Sequence, residues 1–161
     1  MILYHGSEVK VCAPEIRASS RTLDYGAGFY TTTSQVQAEA WVRRRLGMAH
    51  IRRGYVNEYA FDVGKMKNLR CLSFAGPTEE WLDFVMLNRT KRGFSHAYDI
   101  VYGPVANDRV YAAFALYEGG ILDKQGLITE LRTYKLVDQY LFHTERSLHA
   151  LTFISAREVT L

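Results

Sequence analysis

Cysteine is nearly missing: Cys12 and Cys71 are the two thiols in 161 residues. That excludes a disulfide-stapled secreted domain, and no C-x-x-C pair is present to hold zinc or run thiol exchange. No charged start followed by an apolar segment opens the chain, so the expected setting is the cytoplasm, with both thiols free. Long hydrophobic runs are also missing. Stretches such as 110–117 fall far short of the ~20 apolar residues that cross a bilayer, and no membrane partner is expected. Neither sign of charge dominates, since 20 Lys and Arg against 17 Asp and Glu leave +3, which favours solubility without implying a polyanionic partner. The common signatures of chemistry are lacking as well: there is no Walker loop, GxGxxG, HExxH or GxSxG. The five histidines offer no metal-ligand spacing except 143 with 149, which straddles an expected strand and turn, so no metal is expected.

What is present is a foldable composition. With 48% apolar and 23% charged residues, the chain can bury one core, and its length suits a single domain over 1–161. The pattern predicts a strand at 2–4 and a short helix somewhere in 8–22, then a β-prone run after Gly28. Ser34 with Gln37 reads as a capping box for a helix over about 34–46, with Val36, Ala40 and Trp41 on one stripe and Gly47 or Gly54 as the stop. Further on come a strand at 55–61, a loop at 64–76 and a helix at 78–89 that buries Trp81, Leu82, Val85 and Met86. A strand at 98–102 leads to a helix starting at Asn107 or Asp108 and ending at Gly119-Gly120. Asp123 caps another amphipathic segment, and strands follow at 136–143 and 151–154. Five or six short strands among helices, with no βαβ rhythm, make an α+β domain.

Eleven tyrosines are many, and several stand beside glycine instead of inside apolar runs. Two such segments are LYHGS, which ends the first strand, and YGAGFYTT, beginning about 20 residues later. Alone, each residue has an ordinary reading: His5 caps a strand end, Gly26 and Gly28 mark a turn, and Trp41 anchors its helix. Together, a core needs neither Gly-Ser after the first His nor two Gly before Tyr30.

The chain here resembles the diphtheria-toxin and poly-ADP-ribose-polymerase class of ADP-ribosyltransferases. Tyr4-His5-Gly6-Ser7 is similar to that class's first motif for nicotinamide adenine dinucleotide (NAD), and Tyr25-Gly26-Ala27-Gly28-Phe29-Tyr30 to the second. Trp41 falls where the class places a second aromatic, and Asp138-Gln139-Tyr140-Leu141-Phe142 resembles the third motif. Over nearly its whole length the chain looks most like single-domain bacterial toxins encoded beside a small antitoxin.

That resemblance implies an ADP-ribosyltransferase-like split sheet with flanking helices, NAD as substrate, a protein or nucleic-acid acceptor and an antitoxin partner. His5, Tyr30 and Gln139 would be the catalytic set. His5, Gly6, Ser7, Tyr25, Gly28, Tyr30 and Trp41 would bind NAD, with Tyr30 and Trp41 sandwiching the nicotinamide ring, and the acceptor would approach along 134–137. Gln139 stands where the class normally has Glu; Gln keeps the hydrogen bond and loses the charge. Glu145 or Asp108 would then be the assisting carboxylate. The arginines at 43, 44, 45, 52 and 53 could meet a pyrophosphate, a nucleic acid or an acidic antitoxin. Two rival expectations are a catalytically silent ADP-ribose or nucleic-acid binding module and an NAD glycohydrolase.

Overall fold

The structure is a computed structural model that describes residues 1–17, 23–104, 108–134 and 136–161. Seven strands form one sheet: β1 (Ile2–Ser7), β2 (Phe29–Thr32), β3 (Arg53–Phe61), β4 (Cys71–Ser73), β5 (Ile100–Pro104), β6 (Asp138–Phe142) and β7 (Leu151–Thr160). Their order is β4-β5-β6-β2-β1-β3-β7, with β4 and β5 parallel and the other neighbours antiparallel. The domain is mixed α+β. Two strands depart from the sequence expectation: β4 lies inside the segment read as loop, and β7 runs on to Thr160 instead of stopping at Ile154. No helix forms among the described residues of 8–22.

The helices start where capping chemistry dictates. In α1 (Gln35–Ala49) the Ser34 side chain accepts from the Gln37 N–H at 3.2 Å. Gly47 does not end it; His50 does, in the left-handed conformation with φ 53°, its N–H donating to the Leu46 carbonyl. Nor is the expected stripe the buried one. Ala38, Val42 and Leu46 face Val56 and Val159 of the sheet, while Val36 and Trp41 face out. Thr78 caps α2 (Glu79–Thr90) and Asp123 caps α4 (Lys124–Arg132); between them lies α3 (Asp108–Glu118). A single turn, α5 (Glu145–Leu148), follows β6.

Besides the cluster under α1, these elements leave two larger cores on opposite faces of the sheet. Over β5 and β6, helices α2, α3 and α4 bury Trp81, Val85, Phe114, Leu127 and Leu131 against Val101 and Leu141. Beneath lies an aromatic core of Phe29, Tyr59, Phe61 and Phe142, packed largely edge to face. Tyr25 pins the upper core: its hydroxyl donates to the Pro104 carbonyl at 2.8 Å and accepts from Trp81 Nε1 at 2.8 Å, all out of water. Tyr25→Phe strands both partners, so a loss of about 1–3 kcal/mol is expected in chemical denaturation. An unchanged midpoint would remove the pin.

Candidate active site

The sheet nearly comes apart in the middle. β1 and β3 pair over six positions and β2 with β6 over four, but β1 and β2 meet at one, Tyr4 opposite Thr32. Register and alternation show what the gap exposes. The Phe61 N–H donates to the Met1 carbonyl, so odd-numbered residues of β1 bond to β3 and even-numbered ones turn their N–H and C=O toward β2. Had the β1–β2 ladder continued, Gly6 would face Tyr30. Instead the strands part, and His5 Nδ1 bonds the Tyr30 carbonyl at 2.7 Å across the opening. Gly6 is left pointing its peptide groups into the gap. It must be glycine because α1 crosses so closely: a Cβ there would stand 2.7 Å from the Ala38 carbonyl oxygen.

Above this gap is a cavity of about 670 Å³, within the roughly 300–1,000 Å³ range of small-molecule sites. Of the residues expected from sequence, His5, Gly6, Ser7, Gly28, Tyr30, Trp41 and Gln139 all line it. By alternation His5 belongs to the lower face, where its ring packs 4.3 Å from Phe29, and it reaches the cavity because the ladder is broken beside it. The Tyr30 carbonyl can only accept, so His5 carries its proton on Nδ1 and presents the Nε2 lone pair. Burial above all, helped by the Arg17 guanidinium and opposed by the bond to Tyr30, lowers the His5 pKa to about 4; the ring is neutral at physiological pH.

Gln139 comes in from β6, opposite Thr32 on one side and Gly103 on the other. It is 6% exposed, and its Nε2 is buried with no hydrogen-bond partner. Native folds rarely leave such a donor unmet, because dehydrating it costs about 1–3 kcal/mol. Gln139 itself lines the cavity, and its amide lies toward the buried Tyr25 hydroxyl, whose ionised form it favours.

Tyr30 does not present its hydroxyl to the cavity as a free group. That hydroxyl donates to the Gly26 carbonyl at 2.6 Å and accepts from the Tyr25 N–H at 3.1 Å, closing the preceding loop on itself. Gly28 lets this loop press against β6: its φ is 157°, and a Cβ would lie 2.5 Å from the Phe142 carbonyl oxygen. Tyr25 corrects the expectation, being wholly buried behind the wall with its hydroxyl in the upper core. Trp41, 44% exposed on α1, stands at the cavity beneath the Arg45 guanidinium, 5.8 Å from its ring. Ser7 Oγ accepts from the Val9 N–H at 3.3 Å.

The carboxylates in the cavity wall are not those the sequence suggested; Asp24 and Glu15 line it. Glu145 sits in the first turn of α5, accepts from the Ile16 N–H at 3.4 Å, and does not line the cavity; the Asp108 side chain lies outside the described residues. Asp24, which sequence reasoning passed over, does line it, 7% exposed and 3.2 Å from Arg89 Nη1. Burial pushes its carboxyl above the ordinary range, against the pull of Arg89. The signal for Asp24 was its place directly before Tyr25-Gly26, where a buried carboxylate has no packing reason. Of the arginine cluster, Arg44 lines the cavity, joined by Arg17 from the segment after β1. Arg43 and Arg45 are engaged elsewhere, with Glu39 at 2.9 Å and Glu8 at 2.6 Å. Among the described residues no cluster of metal-ligating side chains occurs, and no helix is long and apolar enough to cross a membrane.

Fold and site together define a mixed α+β domain with a cavity set over a break between its strands β1 and β2. The chain belongs to the DUF3990 family, described as a protein of unknown function, whose model matches residues 1–153. No curated protein and no solved structure matches it.

Proposed function

We propose that this protein is an NAD-dependent ADP-ribosyltransferase of the diphtheria-toxin and poly-ADP-ribose-polymerase-like class, acting on a protein or nucleic-acid acceptor. One observation carries the reading: one cavity holds a buried Gln139 N–H that lacks an acceptor and a neutral His5 that offers a lone pair. A sugar hydroxyl both donates and accepts, so neighbouring hydroxyls of a single ribose satisfy both. The break between β1 and β2 then corresponds to the split of the ADP-ribosyltransferase-like sheet. Gly6, with its peptide groups turned into the gap, suits the nicotinamide amide, which would add to β1 as a further strand residue does. Trp41 and the Tyr30 ring would bound the cationic pyridine, while Arg17 and Arg44 suit the pyrophosphate.

In the reaction the ribosyl C–N bond breaks, its electron pair leaves with nicotinamide, and positive charge develops on the ribose. The acceptor then forms the new bond and gives up its proton. Gln139 orients the 2′-hydroxyl without contributing charge, so a stabilising anion would have to come from the carboxylates of the cavity wall, Asp24, which is paired with Arg89, or Glu15, which is paired with Arg17. The resemblance adds the setting: a cytoplasmic toxin held by a small antitoxin, whose acceptor approaches along 134–137. Of that segment Lys135 lies outside the described residues, and the Tyr134 hydroxyl bonds Glu130 Oε1 at 2.5 Å.

Gln in place of a carboxylate also favours a second reading, a binding module that holds the dinucleotide without cleaving it. Incubation with NAD labelled in both halves separates the two. Transfer predicts released nicotinamide and a cellular macromolecule heavier by one ADP-ribose; free ADP-ribose alone means a glycohydrolase; tight binding with no nicotinamide means the module. Trp41→Ala checks the ring contact. Because Trp41 is half exposed, its removal should leave the melting temperature within a few degrees while weakening NAD about tenfold, the equivalent of ~1–2 kcal/mol of ring–cation attraction. Unchanged affinity by calorimetry would remove Trp41 from the site.

A further inference from the structure

Three consecutive carbonyls in the loop leading to β2 each accept a hydrogen bond from an ionisable ring. His96 Nε2 bonds Tyr25 O at 2.7 Å, the Tyr30 hydroxyl bonds Gly26 O at 2.6 Å, and His143 Nδ1 bonds Ala27 O at 2.5 Å. Carbonyls only accept, so each imidazole keeps a proton on its bonded nitrogen. His96 comes from the segment between α2 and β5, and His143 directly follows β6. Their ring centroids are 4.4 Å apart, and His96 Nδ1 is buried with no partner.

We propose that His96 and His143 are positioning residues of the cleft: together they latch the 23–28 loop, and through it Gly28 and Tyr30, and protonation of His96 releases it. Its effect on NAD rests on the function proposed above; the latch itself does not. Both carbonyl bonds exist with neutral rings. A proton added to His96 must go on Nδ1, creating a buried N–H with no acceptor, with the His143 ring packed 4.4 Å away.

The groups around the pair do not relieve this. Phe84 of α2 and Tyr98 before β5 flank His96 at 5.3 Å and 5.7 Å, and Asn88 lies under Gly26. Asp24, beside Tyr25 in the chain, is taken up by Arg89. Asp99 accepts the His143 backbone N–H but turns its carboxylate to Arg146 and Thr144. Burial holds His96 below the ordinary histidine range, against the bond to the Tyr25 carbonyl, which favours the charged ring, and with a smaller contribution from the neighbouring His143. The loop is therefore latched above pH ~6.5 and loosens as the pH falls below it. His5, held near 4, does not titrate in the upper part of that window.

The test uses the full chain and the double variant His96→Gln, His143→Asn. Each replacement places an amide N–H where the bonded ring nitrogen was, without a group that can take a proton. Hydrogen-exchange protection of the 23–30 amides, taken relative to β3, and NAD affinity are measured at pH 7.5 and 5.5. The wild type should lose at least tenfold in loop protection and in affinity on acidification, and the double variant should change less than twofold in either. Equal protection of the wild-type loop at both pH values, or the same loss in the variant, overturns the latch. Should the double variant fail to fold, each single variant must show a smaller loss than the wild type. A pH-dependent loop in a protein that binds no NAD at either pH keeps the latch and defeats the NAD reading instead.

Discussion

Asp99→Ala is expected to destabilise the protein by on the order of 3 kcal/mol, enough to lower the denaturation midpoint sharply. Asp99 is completely inaccessible, yet its carboxylate serves four donors. It accepts from the Arg70 N–H at 2.8 Å, from the Thr144 hydroxyl at 2.8 Å, and from Nε and Nη2 of Arg146. Its backbone carbonyl also holds the His143 N–H, so one residue ties the lead into β5 to the end of β6. Removal leaves the Arg70 N–H and the Thr144 hydroxyl unmet at a buried spot. Arg146 itself, 55% exposed, can turn to water, which keeps the loss at the lower end of the ~3–5 kcal/mol typical of a broken buried pair. Arg146→Ala should hurt comparably for the converse reason, leaving the buried carboxylate with only the exposed Arg70 guanidinium, 3.9 Å away, as its cation. The double substitution should therefore cost less than the sum of the two, and an additive result by chemical denaturation would show that the pair does not act as a unit. The pH dependence follows in sign. Arg146 holds the Asp99 carboxyl well below the ordinary carboxylate range. Its contribution is thus complete above about pH 4 and drains away as the pH falls below that.

Why the sequence showed the cleft better than the scaffold around it can be argued from particular residues. His5, Gly6, Gly28, Tyr30 and Gln139 were readable because each violates what a core strand needs: a polar ring, two missing side chains and an amide inside apolar runs. Caps at Ser34, Thr78 and Asp123 were readable because N-cap chemistry is local. β7 was cut short because 155–158, Ser-Ala-Arg-Glu, lies on the sheet's edge, exposed on both faces, and so carries no alternation. β4 has three residues, and its pairing with β5 is a tertiary fact. The outward stripe of α1 misled because Val36, Ala40 and Trp41 have helical spacing on the wrong side; Ala40 and Trp41 border the cavity and Val36 stands in solvent. Tyr25 sat inside a motif yet serves the core, and Asp24 sat outside it yet serves the wall. Both placements depend on how the loop folds over Asn88 and His96, partners more than 60 residues away along the chain.

Gln139→Leu should slow nicotinamide release about 10²–10³-fold while leaving the fold intact or more stable. Ordinary buried polar residues behave the other way: removal strands a partner, and the fold suffers first. Gln139 Nε2 makes no hydrogen bond of ordinary geometry, and the Tyr25 hydroxyl beside it keeps its bonds to Pro104 and Trp81, so replacing the amide with an apolar group of similar size removes an unmet donor without stranding a partner. If the orphan is held for a ribose hydroxyl, the loss falls on the ligand. One transition-state hydrogen bond of this kind is worth about 10²–10³ in rate, read as kcat for nicotinamide release with the melting temperature measured alongside. The companion substitution sharpens the point. Gln139→Glu keeps the reach and adds a charge beside the developing cation, at the expense of burying a carboxylate 6% exposed. Its activity should therefore appear mainly at higher pH, where the buried acid ionises. A Gln139→Leu protein that melts lower and still releases nicotinamide at the wild-type rate would mean that the amide serves the sheet and that the cavity's sugar site lies elsewhere.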